Sequence, residues 1–411
     1  MSQSDFRSSL LESPEDVKES SEFSLVLGGL SYQLWRRTRL SGATLELLQR
    51  RIIVLILLAW APLLALSVAQ GHAGPGIVQL PFLYDVELHA RLLLALPLLI
   101  FGELFVYRRM RRVVQQFQER RLIPDPARPK FDAAIASAMR LRNSVIAELL
   151  LIAFVFVVGM GVVWPKQVAL NVAIGVTSWY GTPVAGRFEP TLAGWWLRCV
   201  SLPLFQFLLL RWYFRLFIWA RFLWQVSRIG LQVEPLHPDR CGGLGFLGTT
   251  SNAFAPLLLA QGAVLAGMMA QRIFHAGARL LDFKLDFFGL LAAMVFAILG
   301  PLLVFSPKLA SAKRESKHEY GTLAMRYVRE FNRKWLRGNA APDEPLLGSA
   351  DIQSLADLSN SFEVPQSMRI VPVSLITVLQ LAITIVLPVL PLALTMFSPE
   401  QILDKVLSML F

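Results

Sequence analysis

The stretch IIVLILLAWAPLLALSVAQ, Ile52 to Gln70, carries no charged side chain over 19 residues. As a helix rising ~1.5 Å per residue it spans roughly the ~30 Å hydrocarbon core of a bilayer. Six further apolar runs follow, at 88–107, 144–164, 196–219, 253–272, 284–305 and 371–397. None shows the two-residue alternation of a membrane β-barrel, and only helices then satisfy their own backbone in lipid. The whole chain of 411 residues agrees: 55% hydrophobic, 17% charged, mean hydropathy +0.51. The expected fold is therefore all-α, a polytopic helical membrane protein of about seven transmembrane helices.

The net charge of +11 sits in particular places. Of 40 Lys and Arg, seven precede the first run, ten lie in 108–142, five in 211–240 and ten in 308–369. The positive-inside rule puts these segments in the cytoplasm, the N-terminus inside and the C-terminus outside. The basicity is a topology signal with affinity for anionic membrane lipids, and nucleic acid is not an expected partner. The expected organisation is a cytoplasmic tail and interfacial helix over 1–50 and transmembrane helices 1–6 over 51–305. A cytoplasmic helical segment over 306–370 and a seventh transmembrane helix with a short external C-terminus over 371–411 complete it. Residues 1–24 are polar and acidic, a flexible tail without a signal-peptide pattern, and 24–51 suit a helix lying on the inner membrane surface. With no N-x-S/T sequon and no disulfide framework from Cys199 and Cys241, the expected location is a bacterial inner membrane.

Six of the seven runs contain or adjoin a proline (Pro62, Pro97, Pro203, Pro256, Pro301, and Pro388 with Pro391), which favours kinks. In the external 165–195 loop, Trp179, Tyr180, Trp195 and Trp196 read as interfacial belt anchors. On the inner side, 308–337 reads as a charged helix with Tyr320, Leu323, Tyr327, Phe331 and Trp335 on one stripe. A second helix, capped by Ser349 and stopped by Pro365, offers Ile352, Leu355, Leu358 and Phe362 to cover it. Such a layer suits a structural collar between subunits of a homo-oligomer or a regulatory or gating domain, and it offers a surface for a cytoplasmic protein partner.

Motifs for familiar membrane chemistry are missing. There is no H-E-x-x-H, no phosphate-binding G-x-x-x-x-G-K-[ST] and no G-x-S-x-G, and five dispersed histidines make a metal site unexpected. No catalytic residue, metal or cofactor is expected, and the chain does not read as an enzyme. Two places draw attention. Glu103, Glu148, Arg211 and Arg215 share one layer roughly 7 to 9 Å inside the cytoplasmic boundary, at ~1.5 Å per residue, and charge there is costly unless paired. Gln261, Thr377 and Gln380 extend this layer toward the middle. It reads either as interhelical ion pairs, Glu103 or Glu148 with Arg211 or Arg215, or as a vestibule leading to an ion or solute pathway. The inner turn 235–248, PLHPDRCGGLGFLG, reads as a rigid bend, with Gly242 and Gly243 allowing positive φ. Its alternative is an anion or ligand site built from His237, Asp239, Arg240, Gly242 and Gly243.

Two segments, HPDRCGGLGFLG and DIQSLADLSNSFEV, resemble stretches of a family of uncharacterised multi-pass bacterial membrane proteins. The resemblance runs through the C-terminal half and implies a membrane location but no activity. Span number, orientation and the cytoplasmic helical layer are also similar in architecture to insect chemoreceptor-type channels. The function expected first is a channel or transporter for an ion or small solute. The competing expectation is a non-conducting sensor or scaffold that binds a partner through its cytoplasmic helices.

Overall fold

The computed structural model describes residues 23–26, 28–29, 47–165, 176–184, 187–338, 340–341, 344–345 and 349–396. The expected external C-terminus and most of the expected tail and interfacial helix lie outside the described residues. What is described is mostly helical, and six helices are long and apolar enough to cross a membrane. They are α1 (Leu48–Ala69), α2 (Val86–Glu119), α4 (Val145–Val162), α5 (Leu192–Ser227), α6 (Phe246–Ala276) and α7 (Leu280–Leu336). The chain thus has the make-up of a multi-pass membrane protein. Between α2 and α4 the short α3 (Arg128–Arg142) packs against α5, with Arg221 donating to Ser137 Oγ at 2.8 Å.

The last apolar run is not one straight helix. It comprises the helix Leu375–Val386 and a 3₁₀ helix Leu390–Met396, bent by 61° where Pro388 removes a backbone donor. Only by taking the bent pair as one span does the count reach seven. Before it, α8 (Ala350–Ser367) pairs with the far end of α7, and Tyr327 Oη donates to Asp351 O at 3.0 Å. The Ser349 hydroxyl caps α8, which runs two residues past Pro365. At 57 residues α7 is about 85 Å long, far more than a bilayer needs. Along the α7–α8 hairpin Leu323, Met325, Leu336 and Ile352 are exposed.

The other prolines mark changes of helical register. Pro97 and Pro203 each follow a π-helical segment, Ala90–Ala95 and Leu197–Ser201. Pro256 follows a 3₁₀ turn, and Pro301 lies within another. A ring with no N–H cannot sit in a regular ladder, so the preceding turn widens or tightens. Helix α4 lacks proline but has its own π segment, Val155–Val163, with Gly159 against the Gln206 side chain.

The core lies among α2, α5 and α6, with α6 the most buried of the spans and α4 the least. Small residues set the close approaches. Gly102 admits the Trp212 ring, whose Nε1 donates to Leu99 O at 2.9 Å, and Gly262 admits the backbone of Ile385. On the side away from the basic loops, a two-stranded antiparallel sheet, β1 (Gly181–Val184) and β2 (Arg187–Pro190), caps the bundle. Here the belt expectation fails for Trp179 and Tyr180. Both are buried, and Trp179 Nε1 donates to Asp85 at 2.9 Å, a partner that lipid headgroups cannot better. Trp195 remains 49% exposed.

Candidate functional site

Glu103 lies on the face of α2 that meets α1 and α5. Its two oxygens divide between two guanidiniums: Oε1 accepts from Arg215 at 2.6 Å and Oε2 accepts from Arg51. Glu148, on the first turn of α4, faces Arg211 at 3.8 Å. Arg211 also donates to Gly28 O at 3.2 Å. Arg51, Glu103 and Arg215 are only 2%, 3% and 2% exposed, so the layer is buried, and each of its two acids is paired with arginine. Arg215 lies 5.0 Å from the centroid of the Trp212 ring, which shields it further.

Sequence reasoning missed Arg51. It adjoins the first apolar run, where it reads as a flanking topology charge. The helix begins at Leu48, so Arg51 is a full turn inside it and its rotation turns it inward. The segment around Gly28 was missed as well. Phe23, Ser24, Leu25 and Val26 are buried, and Phe23 packs 5.0 Å from Phe222. Gly29 N donates to Asn143 Oδ1 at 3.2 Å, and a β-carbon on Gly29 would meet the Glu148 carboxylate. The described residues 23–26, 28 and 29 thus pack against the helices beside the charged layer.

The outer members of the expected stripe do not join this layer. Gln261 donates to Tyr213 Oη between α6 and α5, while Gln380 is exposed and accepts from Asn252 at 2.8 Å. Thr377 is held by Ser374 at the start of its helix.

In the turn, Asp239 is the centre. Its Oδ1 accepts from Cys241 N at 2.8 Å and Gly243 N at 3.1 Å, and its Oδ2 accepts from Gly245 N at 2.9 Å. The Gly243 and Gly245 N–H groups, which an external anion would use, are engaged by the chain's own carboxylate. Burial pushes the Asp239 carboxyl up, but the three backbone donors outweigh it and hold it below the usual carboxylate range. His237 Nδ1 lies 3.0 Å from Asp239 Oδ1 and 3.2 Å from Asp239 N. Protonated, the ring donates to the carboxylate; neutral, it accepts from the amide. Gly242 and Gly243 take φ of +63° and +90°, and Arg240 takes +53°. The Arg240 side chain is not what the turn uses. Its carbonyl accepts from Arg369 N at 2.7 Å, and the Arg369 guanidinium reaches Asp239 O at 3.0 Å. The turn thus fixes the entry of the last apolar helix as well as the α5–α6 connection. Cys241 is fully buried, and burial pushes its thiol pKa up, which makes it inert.

Beside the turn lies a cavity of about 710 Å³, walled by the end of α2, residues 231–243 and the α7 stretch that leaves the bundle. Arg120, Arg121 and Lys308 line it together with Glu234, Glu315 and Glu319. Ser316, 3% exposed, also lines it, and its hydroxyl has no hydrogen-bond partner among the described residues. Neither Glu103, Glu148, Arg211 nor Arg215 lines this cavity. Among the described residues no group of three or more His, Cys, Asp or Glu could hold a metal ion. No protein family, curated protein or solved structure shows a significant match to the chain.

Proposed function

We propose that this chain is a non-conducting, non-catalytic protein of a bacterial inner membrane that serves as a sensor or scaffold, its basic side facing the cytoplasm. The groove of about 710 Å³ on that side is its binding surface, and the occupant is a charged segment of a partner protein. The observation that carries this reading is the contrast between the two polar regions. The intramembrane charges are buried and mutually paired, whereas the groove is open and presents both signs of charge. A groove with three cations and three carboxylates suits a polypeptide bearing both, and the Ser316 hydroxyl supplies an unused hydrogen-bonding group. The asymmetric Lys and Arg distribution supports the orientation.

Two measurements test the proposal. Ion and small-solute flux into liposomes holding the purified protein should match that of empty liposomes. A protein-dependent flux abolished by Glu103→Gln in folded protein would refute it. A photo-crosslinking residue at the exposed Ser311 position, on the groove wall, should yield a discrete protein adduct in cells. That adduct should disappear when Arg121 and Lys308 are both changed to Glu. Its absence, or its persistence after the charge reversal, would remove the groove from the proposal.

A further inference from the structure

We infer that a second cavity, on the side opposite the basic loops, binds the anionic head of an amphiphile, a phosphate or carboxylate carrying an acyl chain. It has a volume of about 230 Å³ and lies among α2, α4, α5 and α6. Its two cations, Arg91 and Arg198, are five and six residues into their helices, or roughly 7 to 9 Å at ~1.5 Å per residue. That depth is where a lipid headgroup meets its acyl chains.

Three independent features of the cavity point to a ligand. The first is backbone register. Arg91 lies in the π segment of α2, Gly159 and Met160 in that of α4, and Arg198 in that of α5. Isolated π turns interrupt α-helices frequently at functional sites, because the wider turn re-aims side chains at a cost in regular hydrogen bonding. Here three neighbouring helices bear such a segment on one cavity.

Charge is the second. Arg91 is paired with Glu87, but Arg198 has no carboxylate partner among the described residues. Its guanidinium lies over the Trp195 and Trp164 rings at 5.3 and 5.9 Å, which hold its plane and leave its N–H donors unused. Gln206, at the same wall, makes no hydrogen bond among the described residues. A guanidinium and a carboxamide together match the acceptor oxygens of a phosphate or carboxylate.

The third is the remaining wall. Leu202, Phe205, Leu209 and Val264 are apolar, so an occupant with a hydrocarbon tail has somewhere to place it. A small hydrophilic anion would leave this wall uncovered.

The test is a titration of the full-length protein in neutral detergent with dioleoyl phosphatidylglycerol, dioleoyl phosphatidylcholine and inorganic phosphate. Phosphatidylglycerol should bind at least tenfold more tightly than either of the others. Arg198→Gln should weaken it tenfold or more, while Arg187→Gln on the exposed β2 strand leaves it unchanged. Leu209→Trp fills the cavity and keeps the charge, so it should weaken binding too, and it decides the matter should Arg198→Gln fail to fold. Equal affinity for the two lipids would overturn the anionic requirement. Inorganic phosphate binding as tightly as phosphatidylglycerol would overturn the amphiphile. Equal losses from Arg187→Gln and Arg198→Gln, or full binding by Leu209→Trp, would show attraction to the surface rather than a site.

Discussion

Glu103→Gln isolates the buried charge layer in one substitution. The amide keeps the side-chain shape but removes the negative charge that lies between Arg51 and Arg215, both 2% exposed. Two guanidiniums then face each other in a dry site with no anion between them. Removing one partner of a buried pair costs about 3–5 kcal/mol, which is roughly two to three and a half orders of magnitude in the folding constant at ~1.4 kcal/mol per decade. The expected result is a loss of that size in reversible unfolding followed in mixed detergent micelles. Replacing all three groups together, Arg51→Met with Glu103→Leu and Arg215→Met, should return stability to the starting value or above it. Apolar isosteres of a buried ion cluster are neutral or stabilising by about 1–4 kcal/mol. A two-residue swap, Glu103→Arg with Arg215→Glu, should fail to rescue, since the new arginine at 103 still faces Arg51. A loss below about 1 kcal/mol for Glu103→Gln, on the same scale, would refute the burial argument.

Gly242→Ala places a β-carbon 2.0 Å from Val233 Cγ1 at a φ of +63°. It should lower the melting temperature and the folded yield, at a cost of more than the ~1 kcal/mol of an unfavourable positive φ alone. Asp239 has a lowered carboxyl pKa in the folded protein, so the unfolded state binds its proton first as pH falls. Its stabilising contribution is then complete above the ordinary carboxylate range and is lost as pH drops through the folded value. Melting temperatures of wild type and Asp239→Asn should converge at low pH, and a constant gap across that range would contradict the assignment. Cys241 should resist maleimide in folded protein and react on unfolding, whereas the exposed Cys199 reacts wherever the reagent reaches it. Rapid labelling of Cys241 in a Cys199→Ser background would show that the turn is open.

Hydropathy and charge placement are properties that add along a chain, so the sequence alone determined the helical class and the run of apolar spans, each apolar enough to insert on its own account. It also determined the turn in large part. Asp239 reaches donors two, four and six residues ahead, and Gly242 and Gly243 supply the φ values the bend needs. The layer was legible as a depth, because Glu103, Glu148, Arg211 and Arg215 are charges in apolar helices. Who pairs with whom was not. Pairing depends on how each helix is rotated about its axis and which neighbour it meets, and that is set by packing such as Trp212 against Gly102. Tertiary structure therefore decided that Arg51 turns inward, that the Gly28 carbonyl meets Arg211, and that Gln380 faces outward. It likewise decided that Trp179 serves Asp85 rather than a lipid interface. Of the three π segments around Arg91 and Arg198, those of α2 and α5 are announced by Pro97 and Pro203, whereas that of α4 has no proline to announce it.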